Sequence, residues 1–360
     1  MTTAAKRERH LASHVFNIVV LVVGCAALAW LLHKLGWENV KRVLTGVGGW
    51  FAVIVAFDIA ALACEAAAIR EFMRPESRMI AYWRVLAAQA SGRAINILTP
   101  GGALGEATKV TMMVAHAPRG RVVSAIVMLN LASFYLSVAI LIVGVPITAL
   151  LVDLPHDLKV VVWTGLGVLV PIVIALGVLI QRGALGTVLD GARRVRVLSA
   201  ERAERWKTKL ADVDRRIREL QADRSAGTRL GLLLVCVARL CAWSATTVVL
   251  YTVGVQLGFT VLCGVFSVGV LIGWISAVVP FGLGVADASN YALYDVLGAA
   301  GAHGVFVTLL GRARQAALAL LGLLVMAAGH TSTRLHLAKR NRLMARLEAE
   351  HGSESPVRSG

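Results

Sequence analysis

The chain has 360 residues, of which 57% are hydrophobic and 16% charged, and its mean hydropathy is +0.72. This excludes an ordinary soluble domain, whose apolar runs are short. The formal charge of +16 concentrates at the N-terminus, around residues 182–229 and after 330, which fits the positive-inside bias of a polytopic membrane protein and not a nucleic-acid footprint.

Lys6-Arg7-Glu8-Arg9 precede an apolar run from His14 to Leu32, long enough to span the bilayer, so a retained anchor is expected over a cleaved signal peptide. Apolar segments at 14–33, 50–70, 122–151, 158–181, 229–256 and 303–330 are each about 20 residues or longer and predict six full spans. Two further apolar regions, 82–117 and 260–299, are interrupted. The first stops at Pro100-Gly101-Gly102-Ala103-Leu104-Gly105-Glu106 and the second at Pro280-Phe281-Gly282-Leu283-Gly284-Val285-Ala286-Asp287. The arms on either side are roughly 16 to 19 residues long, marginal for spanning, so both regions predict helical hairpins. New helices are expected to start at Ala103 and Val285.

Charge counting orients the elements. The basic tails at residues 6–9 and 334–346 and the basic loop at 182–229 belong inside, and the acidic loop with Asp153 and Asp157 outside. Arg70, Arg74, Arg78 and Arg84 precede the first hairpin, and Arg119 and Arg121 follow it, so this hairpin enters and leaves from the cytoplasm. By the same count the second enters and leaves from outside. The predicted fold class is therefore an all-α polytopic membrane protein, with six full spans plus two opposed re-entrant helical hairpins in an inverted repeat. Residues 1–151 form the first membrane repeat and 152–330 the second, with a cytoplasmic amphipathic insert at 182–228 and a basic cytoplasmic tail at 331–360. Pro100 lies 50 residues after Trp50, and Pro280 lies 51 after Arg229. The competing reading is eight or more complete helices with Pro-Gly loops at ordinary surfaces.

Within the insert, Ala203, Trp206, Leu210, Val213, Ile217 and Leu220 recur at three-four spacing, predicting an amphipathic helix on the bundle or lipid surface. The last residues, Gly352 to Gly360, are polar and read as unstructured. Cys25, Cys64, Cys236, Cys241 and Cys263 all fall in apolar segments without CxxC or His-Cys spacing. They read as packing residues, and neither a metal nor a cofactor is expected.

Charged side chains inside apolar segments are expensive, about 2.5 to 3.5 kcal/mol at mid-helix on insertion scales, and mark functional sites. Those present are Asp58, Glu65, Arg93, Glu106, Lys109, Arg239, Asp287, Asp295, Arg312 and Arg314. Arg312 and Arg314 lie about 15 Å into the final span; either they contact substrate, or one of them pairs with Asp287 or Asp295. Arg93, Asn96 and Glu106 could converge at the first hairpin tip. Glu106 and Asp287 sit in the first turns of the helices after the breaks, where they either complement the helix dipole or bind a coupling proton or cation. Asp58 and Glu65 share one face of their helix, with Arg239 a candidate partner of Glu65. Lys109 reads as snorkelling. His33, His116, His303 and His330 lie at predicted helix ends and read as structural. No HExxH, GxSxG, P-loop or GxGxxG is present, so an enzyme is not expected.

Gly92-Arg93-Ala94-Ile95-Asn96-Ile97-Leu98-Thr99-Pro100-Gly101-Gly102-Ala103-Leu104-Gly105-Glu106, with Val279-Pro280-Phe281-Gly282-Leu283-Gly284-Val285-Ala286-Asp287, resembles the lysylphosphatidylglycerol synthase transmembrane family, also called flippase-like. The resemblance implies an integral protein of the bacterial inner membrane, both termini cytoplasmic, that moves a modified or anionic phospholipid between leaflets. Arg93, Asn96, Pro100, Gly101, Gly102, Gly105 and Glu106 match the first motif, and Pro280, Gly282, Gly284 and Asp287 the second. The second motif commonly ends in Glu where Asp287 stands here. The tail after the last span is too short for the aminoacyl-transfer domain of full-length synthases, so lipid lysinylation is not expected. The residues picked out for substrate are Arg93, Asn96, Arg312 and Arg314; Glu106, Asp287, Asp58, Glu65 and Arg239 are those for coupling or ion pairing. Competing expectations are a membrane enzyme acting on a lipid headgroup and a non-transporting scaffold for lipid-biosynthesis enzymes of the hopanoid type. Gly-rich spans also permit a homo-oligomer.

Overall fold

The computed structural model describes the backbone of residues 45–99, 103–152, 226–276 and 285–353, plus position 22 and several positions between 160 and 171; side chains are described over 45–99, 104–152, 226–274 and 288–329 and at those isolated positions. All regular elements among these residues are helices. In chain order they are α1 (Trp50–Phe72), α2 (Tyr82–Leu98), α3 (Ala103–Val114), α4 (Arg119–Leu151), α5 (Ala226–Thr252), α6 (Phe259–Phe266), α7 (Val268–Ser276), α8 (Val285–Val296) and α9 (Gly301–Ser353). A single 3-10 turn, Glu76–Met79, joins α1 to α2.

Four of the predicted spans lie among these residues as helices with the length and hydropathy to cross a membrane: α1, α4, α5 and the Gly301–Gly329 part of α9. At a rise of about 1.5 Å per residue, α1 covers about 34 Å, close to the roughly 30 Å hydrocarbon core. α4 has 33 residues and reaches about 50 Å, so it tilts or projects beyond the core. Apart from those isolated positions, the segments predicted to span at 14–33 and 158–181 lie outside the described residues, as does most of the 182–228 insert. α9 runs without interruption to Ser353, so the segment read as a separate basic tail continues the last span as helix.

The first interrupted region folds as two helices. α2 ends at Leu98, α3 begins at the expected Ala103, and the two pack directly on each other. A Cβ on Gly92 would meet the Gly105 carbonyl oxygen at 2.8 Å, a separation that real Cβ atoms do not adopt. Glycines at this crossing let the backbones approach, as small residues do between membrane helices. The chain returns to the end it left: Arg121, at the start of α4, pairs with Glu76 before α2 at 3.1 Å.

The second interrupted region is more broken than the sequence predicts. Its first arm is two helices, α6 and α7, which meet at Ser267 with φ −112° and ψ −74°. The Ser267 hydroxyl donates to the Cys263 carbonyl at 2.5 Å and pairs with the Thr148 hydroxyl of α4 at 3.1 Å, giving the kink a polar partner. Its second arm, α8, begins at the expected Val285. α5 and α8 stop in the same manner, with left-handed glycines Gly254 (φ 85°) and Gly298 (φ 79°). The next amide in each case donates back to the last turn, Val255 to Leu250 and Ala299 to Tyr294, which satisfies otherwise unpaired carbonyls.

Among the described residues, three apolar clusters hold these helices together. One joins the end of α1 to the first hairpin and α4 through Phe72, Met73, Val85, Met113 and Leu129. A second joins α4 to the second hairpin through Leu141, Val145, Leu271, Leu293 and Tyr294. A third ties α1, α5 and α9 through Ile54, Ala245, Val249 and Leu310. α9 touches both interrupted regions. A Cβ on its Gly304 would press on the Asn290 backbone of α8, and one on its Gly322 would press on the Ala90 backbone of α2. These two contacts are about 27 Å apart along the helix axis.

Candidate functional site

A cavity of about 430 Å³ opens between α1, the first hairpin, α4 and α5. Its wall is polar, which is unusual among helices this apolar. α1 supplies Glu65. α2 supplies Gln89, Arg93 and Asn96, spaced i, i+4, i+7 and hence on one face. α3 supplies Glu106 and Lys109, α4 Asn130 and Ser133, and α5 Arg239.

The glycine crossing is what admits these side chains. A Cβ at Gly92 would collide with the aliphatic stem of Lys109, and one at Gly105 with the amide of Asn96. Lys109 therefore threads between α2 and α3, buried to 3% exposure, and its Nζ reaches Glu106 Oε1 at 2.8 Å. Asn96 Nδ2 donates to the same oxygen at 3.1 Å. The predicted snorkelling of Lys109 is overturned: with a carboxylate one turn away, the buried ammonium is neutralised in place and need not reach the interface. Gly105, expected at the hairpin tip as part of the first Pro-Gly cluster, lies inside α3 and serves close packing.

A second carboxylate is held in parallel. Gln89, 2% exposed, donates through Nε2 to Glu65 Oε2 at 2.7 Å. The expected Glu65–Arg239 pair does not form; Arg239 instead donates to the Ser137 hydroxyl at 2.6 Å and the Ser133 carbonyl at 3.3 Å, both on α4. The carboxylates fix both amide orientations, because an amide oxygen turned toward a carboxylate would meet no donor. Among the described residues, Gln89 Oε1, Asn96 Oδ1 and Glu106 Oε2 are buried without a hydrogen-bond partner. Such unmet acceptors are few in folded proteins and call for an explanation.

Arg93 is exposed in the cavity and makes no hydrogen bond or ion pair among the described residues. The wall carries three cations, Arg93, Lys109 and Arg239, against two carboxylates, Glu65 and Glu106. With Lys109 cancelled by Glu106, an excess of one positive charge remains at the Arg93 and Arg239 side. An anionic group of modest size is the complement.

Arg314 is not part of this wall. Its guanidinium forms a two-pronged pair with the buried Asp58 of α1, Nε to Oδ2 and Nη2 to Oδ1, and Nη1 reaches the Thr246 hydroxyl of α5 at 3.4 Å. The sequence-level choice of Asp287 or Asp295 as partner is replaced by Asp58, and Arg314 acts as a cross-link between α1, α5 and α9. Arg312 likewise does not line the cavity. Asp287 lies in the first turn of α8, but its side chain, with Pro100, Gly101, Gly102, Pro280, Gly282 and Gly284, lies outside the described residues. Sequence reasoning missed Gln89, Asn130 and Ser133. The signal was present as the Gln89-Arg93-Asn96 and Asn130-Ser133-Ser137 stripes, polar residues at helical spacing within apolar segments, only one of them charged.

Helices able to cross a bilayer, enclosing a polar, positively biased cavity, define a multi-pass integral membrane protein. The chain belongs to the family described as the lysylphosphatidylglycerol synthase TM region, whose model matches residues 17–322; the membership points to a role in membrane lipid chemistry. No curated protein and no solved structure gives a significant match.

Proposed function

We propose that the protein is a lipid translocator of the bacterial inner membrane, with both termini cytoplasmic, which moves an anionic or modified phospholipid between leaflets by seating its headgroup in the α1–α5 cavity. The observation that carries this reading is Arg93, a guanidinium exposed in a cavity between apolar helices with no counter-ion among the described residues. A phosphate supplies what it lacks. The unmet acceptors of Gln89, Asn96 and Glu106 suit hydroxyl or amine donors near that phosphate, once side-chain rotation uncovers them. Handling is non-covalent in this reading: the lipid leaves unaltered.

The inverted repeat belongs to the same proposal. In its favour are the ion pair that returns the first hairpin to its starting end, the matching helix starts after both breaks, and the well-separated points at which α9 meets the two hairpins. Opposed hairpins place the breaks in the interior, where irregular backbone is tolerated because it lines a cavity. Alternating access then comes from one repeat moving against the other.

The test is leaflet sidedness of a fluorescent phosphatidylglycerol in proteoliposomes. A charge-assisted hydrogen bond contributes about 1.5 to 3 kcal/mol, so Arg93→Ala should slow movement roughly tenfold to a hundredfold and Arg93→Lys less. No movement by the wild type, unchanged movement in Arg93→Ala, or a chemically altered lipid by mass spectrometry would overturn the proposal.

A further inference from the structure

Beside the polar cavity lies a second, apolar one of about 310 Å³ between α4 and α5, lined by Met128, Leu131, Ala132, Tyr135, Leu232 and Cys236 among others. The two share a wall. Val235 lines both, and on α4 consecutive residues face opposite chambers: Asn130 and Ser133 the polar one, Leu131 and Ala132 the apolar one. An occupant with one charged end and one apolar chain fits this arrangement, and neither water nor a free anion does.

We infer that the α4–α5 groove is an acyl-chain subsite, holding one fatty chain of the lipid whose phosphate sits at Arg93, with its glycerol region passing Val235. The inference rests on the translocator reading and deepens it. A phospholipid held at both ends carries its tail along the protein as the headgroup crosses. Recognition then depends on chain as well as headgroup, because the groove has a concave shape that annular lipid contacts on flat helix faces lack.

The experiment uses the full chain in phosphatidylcholine vesicles containing a trace of phosphatidylglycerol with a photoreactive diazirine on one acyl chain. After illumination, adducts are mapped by mass spectrometry. Adducts should concentrate at Met128–Leu136 and Leu232–Cys236 relative to exposed Leu150, Leu240 and Leu324, and should fall about tenfold in Arg93→Ala, the factor expected for one charge-assisted contact. Diacylglycerol carrying the same diazirine, lacking the phosphate, should label all exposed faces evenly. Ala132→Trp, which fills the groove, should remove the local adducts and slow lipid movement.

Even labelling by the phosphatidylglycerol probe, or groove adducts indifferent to Arg93→Ala, would overturn the subsite. So would a groove shielded from label and bridged Cys236 to Cys236 between copies, since a second copy would then be its occupant. Even labelling with Arg93-dependent movement removes the groove and leaves the translocator; Arg93-dependent groove labelling without movement does the reverse.

Discussion

Two glycines decide where the charges of the first hairpin go. Gly92 and Gly105 leave the gaps through which Lys109 and Asn96 reach Glu106, so a methyl at either disturbs the polar site and the helix crossing together. Gly105→Ala should lower stability by the 1 to 3 kcal/mol typical of overpacking, about, and depress lipid movement. The control is Gly311→Ala on α9, where nothing lies within 4 Å of the added carbon; helix propensity alone predicts a neutral or slightly stabilising change there. Thermal unfolding in detergent distinguishes them, and equal losses at both positions would count against the packing argument.

Asp58 and Arg314 illustrate a different residue-scale logic. Their side chains are 6% and 20% exposed, and each neutralises the other. Removing one partner leaves an uncompensated buried charge, so Asp58→Leu should destabilise by about 3 to 5 kcal/mol, whereas Asp58→Leu with Arg314→Leu should recover most of that loss. If the double variant keeps the lipid movement of the wild type, the pair is a cross-link; loss of movement in a stably folded double variant would assign it to transport.

At the scale of elements, the sequence placed most helices well. Long apolar runs must be helical in a bilayer because no water satisfies their backbone, and α1, α4, α5 and α9 follow from that alone. The starts of α3 and α8 were legible because Pro and Gly interrupt a helix and a new one follows. The kink between α6 and α7 was not legible. Ser267 is an unremarkable residue in an apolar run, and the partner its hydroxyl finds at the kink, the Thr148 hydroxyl 3.1 Å away, sits on a helix more than a hundred residues earlier. The same limit applies to the length of α9: the change from apolar to basic residues near 330 marks a change of solvent, and the helix continues across it to Ser353.

At the scale of the whole molecule, the distribution of Lys and Arg predicts opposed hairpins, and the architecture is compatible with them. The prediction is directional. In a chain whose native cysteines are replaced, Arg84→Cys at the base of the first hairpin should react with a membrane-impermeant thiol reagent only from the cytoplasmic face. Ala299→Cys, at the base of the second, should react only from the opposite face. Labelling of both from one side would leave two ordinary helix pairs and no inverted repeat.

Composition and charge distribution by themselves determined that the chain is an all-helical membrane protein, that its Pro-Gly clusters interrupt two of the helical regions, and which side chains are too costly in an apolar segment to be incidental. These follow from the energetics of a segment against its solvent, a local quantity. Which charges neutralise one another was decided only by the tertiary structure. Arg314 went to Asp58 and Lys109 to Glu106, while Arg239 met the uncharged Ser137 hydroxyl and Ser133 carbonyl and Arg93 stayed exposed in the cavity. Pairing depends on distances between helices far apart in the chain, which no local pattern encodes, and that choice turns a set of intramembrane charges into a candidate site.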